Sequence, residues 1–153
     1  MQQLAEELTS VVERAAEALR AVGDTEAGQS YRPGGWSRKE LLGHLIDSAS
    51  NNHQRFVRAQ GVPFLEFPKY EQEEWVGRQN YRQESWPDLV ELWRLYNRHL
   101  AHVIRAFPAE KLEVGCKVGP SEPMKIGDVI KDYLRHLKHH LSQLGLQGMA
   151  GMR

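Results

Sequence analysis

Hydrophobic positions recur at three- and four-residue steps in four stretches of this chain, with polar positions between them. The first stretch runs from about Gln3 to Val22, with Leu4, Leu8, Val11, Val12, Ala15, Leu19 and Val22 on one face. The second runs from Arg38 to about Gln60. Ser37 precedes it with Glu40 three residues on, which predicts a capping box. The third starts near Ser85, has Pro87 in its first turn and runs to about Ala106, ahead of Pro108. The fourth begins near Ile126 and ends before Gly145 or Gly148. "GDTEAGQSYRPGG" breaks the chain between the first two helices. No stretch alternates as a core strand does. "LEVGCKVG", residues 112–119, reads at most as a short extended piece, and no repeat or low-complexity tract is present.

Four helices of about twenty residues predict an all-α four-helix bundle, a single domain over residues 1–153. The connection from the second helix to the third, "GVPFLEFPKYEQEEWVGRQNYR", is longer than a bundle turn needs. Extended, it spans more than the ~30 Å of a twenty-residue helix, so these two helices can run parallel with the loop crossing the bundle. It carries Phe64, Phe67, Tyr70, Trp75 and Tyr81. Such a loop serves either as a lid over a site or as a plug on one side of the bundle.

Lys and Arg together equal Asp and Glu, 20 of each, which argues against a nucleic-acid binder. Cys116 is the only cysteine, so no intrachain disulfide forms, and it reads as an inert small apolar residue. The N-terminal stretch carries charges throughout and is not a signal peptide, and no apolar run is long enough to span a membrane. The expectation is a cytoplasmic protein.

"DYLRHLKHHLSQL", residues 132–144, concentrates three of the seven histidines on one helix. With the apolar stripe centred near Leu137, His140 falls about 60° away, His136 about 100° on the same side, and His139 about 160°. His136 and His140 are thus an i, i+4 pair facing the bundle, the spacing by which one helix offers two imidazoles to one ion. The zincin glutamate is absent, since Leu137 follows His136. On the second helix His44, Ser48, Asn51 and Arg55 line one margin of the apolar stripe. His44 can meet the pair across the seam, leaving open positions on a divalent ion such as zinc or nickel. The same spacing also suits half-buried histidines with no ion. Asn51 and Arg55 are candidates for hydrogen bonds to a ligand. His53, His99 and His102 read as surface or rim residues, and Trp36, Trp86 and Trp93 as packing residues. Asp47 is either an acceptor behind the site or a solvated charge.

"GWSRKELLGHLIDSASNNHQRFVRAQ", "FLEFPKYEQEEWV" and "DYLRHLKHHLSQL", in that order, resemble the DinB superfamily and within it the YfiT-like group. The resemblance covers about Gly35 to Leu144. It implies an up-down-down-up bundle with a long crossover between the second and third helices. It also implies a mononuclear divalent ion, nickel or zinc, on His44, His136 and His140. Ser48, Asn51, Arg55, Tyr70 and Trp75 are then candidate contacts to substrate or cofactor. Members include thiol S-transferases that use a low-molecular-weight thiol, and proteins classed as metal-dependent hydrolases; many are homodimers. Some carry a further histidine where this chain has Gln143, which puts any acid/base role at that position in doubt.

The expected function is thiol transfer to a small electrophilic molecule. The alternatives are metal-dependent hydrolysis or a non-enzymatic, stress-related metal-binding bundle. No general base stands out beside the site for hydrolysis, with only Asp47 and Glu71 to consider, and that favours thiol chemistry.

Overall fold

The computed structural model describes residues 1–30 and 33–146. Tyr31, Arg32, the alternative helix end at Gly148 and the tail of the 1–153 domain lie outside them. Four long helices form the bundle: α1 (Gln2–Arg20), α3 (Arg38–Ala59), α5 (Trp86–Arg105) and α6 (Ile126–Gln143). A single turn, α2 (Asp24–Ala27), follows α1.

The capping box at Ser37 is the one the sequence predicts. Ser37 and Glu40 make the reciprocal capping box of α3, and Ser85 caps α5 through the Asp88 N–H. At the end of α6, Gly145 adopts φ +89°. The Leu146 and Gly145 N–H groups donate to the Leu141 and Ser142 carbonyls, a Schellman ending that only a left-handed residue permits.

Cross-helix contacts give the directions. Glu13 pairs with Arg94 and Arg20 with Glu91, so α1 and α5 are antiparallel. Lys39 donates to the Glu84 carbonyl just before α5, and His53 meets Tyr96, so α3 and α5 are parallel. His44 meets His140 and Phe56 meets Tyr133, so α3 and α6 are antiparallel. The bundle is therefore up-down-down-up. Its core is closed by Leu8, Leu19, Leu42, Leu45, Trp86, Trp93 and Ile130, all essentially inaccessible. Leu92 and Leu95 on α5 remain about half exposed.

The long crossover is not a loop. It contains strand β1 (Phe64–Phe67), helix α4 (Gln72–Gln79) and a short 3-10 turn at Tyr81–Gln83. β1 pairs in parallel with β2 (Gly115–Val118), and β2 pairs antiparallel with β3 (Met124–Lys125). This three-stranded sheet goes beyond the one short extended piece that the sequence predicts. The extended piece at 112–119 holds β2, but β1 was not foreseen. Four residues give too short a period to register, although Phe64 to Phe67 do alternate out and in. Leu65, Phe67 and Cys116 turn inward from the sheet. Backbone bonds from Ile126 to the Val114 carbonyl and from Gly127 to the Leu112 carbonyl tie the start of α6 to β2. The sheet thus holds the crossover beside α3 and α6, the two helices that bear the histidines.

Candidate metal centre

α3 supplies His44 from its second turn, where every neighbour is buried and the imidazole itself has no exposed surface. α6 supplies His136 and His140 four residues apart, so both rings lie on one face. The Nε2 atoms of His44 and His136 are 3.4 Å apart, and those of His136 and His140 are 3.0 Å apart. The rings of His44 and His140 lie edge-to-face at 4.9 Å. Among the described residues these three alone form a cluster with donor atoms mutually within 4.8 Å. His139 is exposed, as the helical angles predict.

The donor set fits a divalent ion. Two nitrogens bound at about 2.0–2.1 Å to a tetrahedral ion lie about 3.3 Å from each other, close to the separations here. Burial, with its neighbouring imidazoles, pushes the His44 pKa down to about 3, and burial pushes His136 to about 4; His140 is lowered by the same cause. All three are therefore neutral near pH 7, the state a metal ligand needs. His140 Nδ1 lies 2.7 Å from Gln143 Oε1, which accepts its proton and leaves Nε2 bare toward the cluster. The Nδ1 atoms of His44 and His136 are buried without a protein partner.

Beside the cluster is a cavity of about 220 Å³ that reaches His136. Ser48, Asn52 and Arg55 line it from α3, Lys69, Tyr70 and Gln72 from the crossover, and Asp132 and Tyr133 from α6. Three of the anticipated contact residues, Ser48, Arg55 and Tyr70, are thus brought together at one wall. Asn51 is not: its side chain donates to the Asp47 carbonyl of its own helix, 2.9 Å away. Asn52, one position on, lines the cavity instead. Trp75 packs on Tyr70 at 4.9 Å and backs the wall rather than forming it. Burial, with Asp47 adding, pushes the Tyr70 hydroxyl up to about 12, so it is a neutral donor.

Asp132 stands one turn before His136 and shares its cavity. It is a carboxylate that the sequence reading, which considers only Asp47 and Glu71, does not include. The signal was available, since 132, 136 and 140 form one i, i+4 row. The two earlier candidates lie elsewhere. Asp47 is neither a solvated charge nor a wall residue: it is buried and accepts from Gln79 at 2.7 Å and Tyr81 at 2.8 Å. Burial raises its pKa against those two bonds. Glu71 is exposed and 3.7 Å from Lys69. Trp36, expected only to pack, lies against His44 with ring centres 5.3 Å apart, a contact that helical periodicity does not encode.

Comparison with known proteins gives the lineage. The family model of the DinB superfamily matches residues 1–144, and the chain belongs to that superfamily. A Bacillus mycoides (strain KBAB4) protein named "Putative metal-dependent hydrolase" is 24% identical over 91% of this chain and 80% of its own length. One of that name from Oceanobacillus iheyensis is 29% identical over 75% of this chain and 66% of its own length. Among solved structures, YfiT from Bacillus subtilis, described as "a probable metal-dependent hydrolase with an unusual four-helix bundle topology", matches with a TM-score of 0.77. The match is at 18% identity and covers 97% of this chain and 84% of that one; it shows the fold.

Proposed function

We propose, from the DinB superfamily fold and its buried three-histidine cluster, that this protein is a metal-dependent enzyme acting on a small molecule. One divalent ion, zinc or nickel, is held by His44, His136 and His140. Bound there, such an ion would lower the pKa of a coordinated water or thiol and would polarise an electrophile. The observation that carries the reading is the convergence of three neutral imidazoles on one point at the edge of a cavity. With three protein ligands, positions remain for a nucleophile or substrate.

The chain's own residues supply the rest. Asp132 accepts the proton of the incoming nucleophile, and its place beside His136 makes hydrolysis the reading the geometry supports best. Tyr70 donates its hydroxyl proton to a substrate oxygen. Gln143 holds His140 in one tautomer. The crossover, packed through Trp75 on Tyr70, shields one wall from water. The second reading is transfer of a low-molecular-weight thiol. The all-nitrogen donor set favours it, because three neutral ligands leave the ion's charge to be met by a thiolate.

The experiment is turnover by metal-loaded protein with two panels, small esters and amides against thiol plus electrophile. Asp132→Asn is expected to retain the metal and to lower hydrolysis by about 10²–10⁴. Thiol transfer is expected to depend less on Asp132, because coordination alone deprotonates a thiol. No turnover with either panel would leave the protein a metal-binding bundle and sink the enzyme reading.

A further inference from the structure

The cavity wall holds a cation without a counterion. Arg55 is half-buried, and no carboxylate pairs with it among the described residues. Its Nη1 donates to Asn52 Oδ1 at 3.2 Å, its guanidinium stands over the Phe67 ring at 5.1 Å, and its buried Nε has no partner. The bond to Asn52, three residues earlier, folds the side chain back along α3 toward the histidine end. The acid that shares the cavity, Asp132, makes an exposed pair with Arg135 at 3.0 Å and none with Arg55. Lys69 brings a second cation to the same cavity, and its only ion pair among the described residues is the long contact with Glu71.

A half-buried guanidinium that is aimed into a cavity and lacks a carboxylate is poorly compensated in the empty protein, and an oxyanion supplied by a ligand corrects this. Its fork matches a carboxylate with two parallel bonds, and Lys69 adds charge without geometry. The cavity, about 220 Å³, limits the ligand to a small molecule. Arg55 lies about 10 Å beyond Ser48 along α3, so the anionic group sits apart from the histidines.

We infer that Arg55, with Lys69, is a carboxylate-recognising subsite, and that the substrate is a small bifunctional molecule. Its carboxylate is held at Arg55 and its reacting group faces His44, His136 and His140. This rests on the metal-site reading for the reacting end only, since the anion site is built from other residues.

The test is calorimetric titration with ω-mercaptocarboxylates of two to six carbons and with their neutral ω-mercaptoamides, on both metal-free and nickel-loaded protein. Carboxylates are expected to bind at least about tenfold more tightly than the matched amides, the size of a charge-assisted hydrogen-bond pair. Arg55→Gln should abolish that preference with nickel content unchanged. Lys69→Gln, on an exposed side chain that carries no folding burden, should reduce it about two- to threefold. Equal affinity of carboxylate and amide for the wild type overturns the subsite, as does a preference that survives Arg55→Gln in folded protein. If Arg55→Gln does not fold, the wild-type comparison and Lys69→Gln decide alone. If nickel adds nothing to binding while carboxylates still outbind amides, the metal reading fails and the subsite stands.

Discussion

His44 and His136 stand 92 positions apart in the chain, yet their Nε2 atoms are 3.4 Å apart, and both Nδ1 atoms are buried without partners. Two neutral imidazoles so placed share at most one proton between facing nitrogens, and a third ring at His140 competes for the same space. An ion at the centre would satisfy the converging ring nitrogens of all three. Protein purified without an affinity tag is expected to carry or take up about one divalent ion per chain. His44→Ala, His136→Ala and His140→Ala should each cost at least about a hundredfold in affinity, since a lost ligand costs more than the 10–100-fold typical of its supporting residues. His139→Ala should cost nothing. Elemental analysis and chelator competition measure both. A metal-free wild type after exposure to zinc and nickel would refute the site.

Gln143 Oε1 accepts from His140 Nδ1 at 2.7 Å. Its role is to fix a tautomer rather than to move a proton. Gln143→Leu should weaken metal binding by about 10–100-fold, less than loss of a ligand, while leaving the stoichiometry at one. Gln143→Glu should retain or tighten binding, because a carboxylate accepts the same proton more strongly. Competition with a coloured chelator distinguishes the two. Equal losses in both variants would show that Oε1 is not the atom that matters.

The depressed histidine pKa values have a definite sign. His44 is held near 3 and His136 near 4, against about 6.5 in an unfolded chain. Below pH 6.5 the unfolded state takes up protons that the folded state refuses, so the metal-free protein loses stability as pH falls from about 6.5 toward 4. Above about pH 5 His44 and His136 remain unprotonated in the folded site, and burial lowers His140 in the same direction. Metal affinity of the folded protein should therefore stay nearly flat from pH 7 to about 5, where an ordinary exposed histidine site would weaken progressively. Denaturant titrations of the metal-free form at pH 7, 5.5 and 4.5, with chelator competition at the same pH values, test both halves. An affinity that already falls tenfold between pH 7 and 6 would contradict the buried, neutral trio.

Much of this was legible in the residues themselves. The faces of α3 and α6 follow from a fixed turn angle, so the inward pair His136 and His140 and the outward His139 could be sorted from spacing alone. The caps at Ser37 and Ser85 and the stop at Gly145 are local chemistry and were equally readable. What escaped depends on contacts distant in sequence. β1 exists because β2, some fifty residues later, offers a parallel partner, and Trp36 reaches His44 because of how the chain enters α3. Asn52 replaces Asn51 at the cavity because adjacent helical positions differ by about 100°, and the margin of a stripe is where that step decides. Asp132 is a different case: it lay in the histidine row and was passed over.

The crossover is anchored by one close approach that a substitution can test. The Tyr81 ring lies flat on α3 at Gly43, where an added Cβ would come within 2.2 Å of ring carbons. The Tyr81 hydroxyl then reaches Asp47, four residues along the same helix, at 2.8 Å. Glycine is required for the space, since Gly43 lies within regular helix and has no unusual backbone angle. Gly43→Ala gains helix propensity of about 1 kcal/mol but must displace a buried aromatic ring, an overpacking cost of about 1–3 kcal/mol that wins or cancels. It should also detach Tyr81 from Asp47 and loosen the segment that carries Tyr70. Tyr81→Phe, which keeps the ring and removes the hydroxyl, should cost about 1–2 kcal/mol and leave the segment in place. Gly43→Ala should therefore raise proteolytic cleavage between α4 and α5 and weaken ligand binding in the cavity, while Tyr81→Phe lowers only the global stability. Identical protease sensitivity in the two variants would show that ring packing at Gly43 does not hold the crossover.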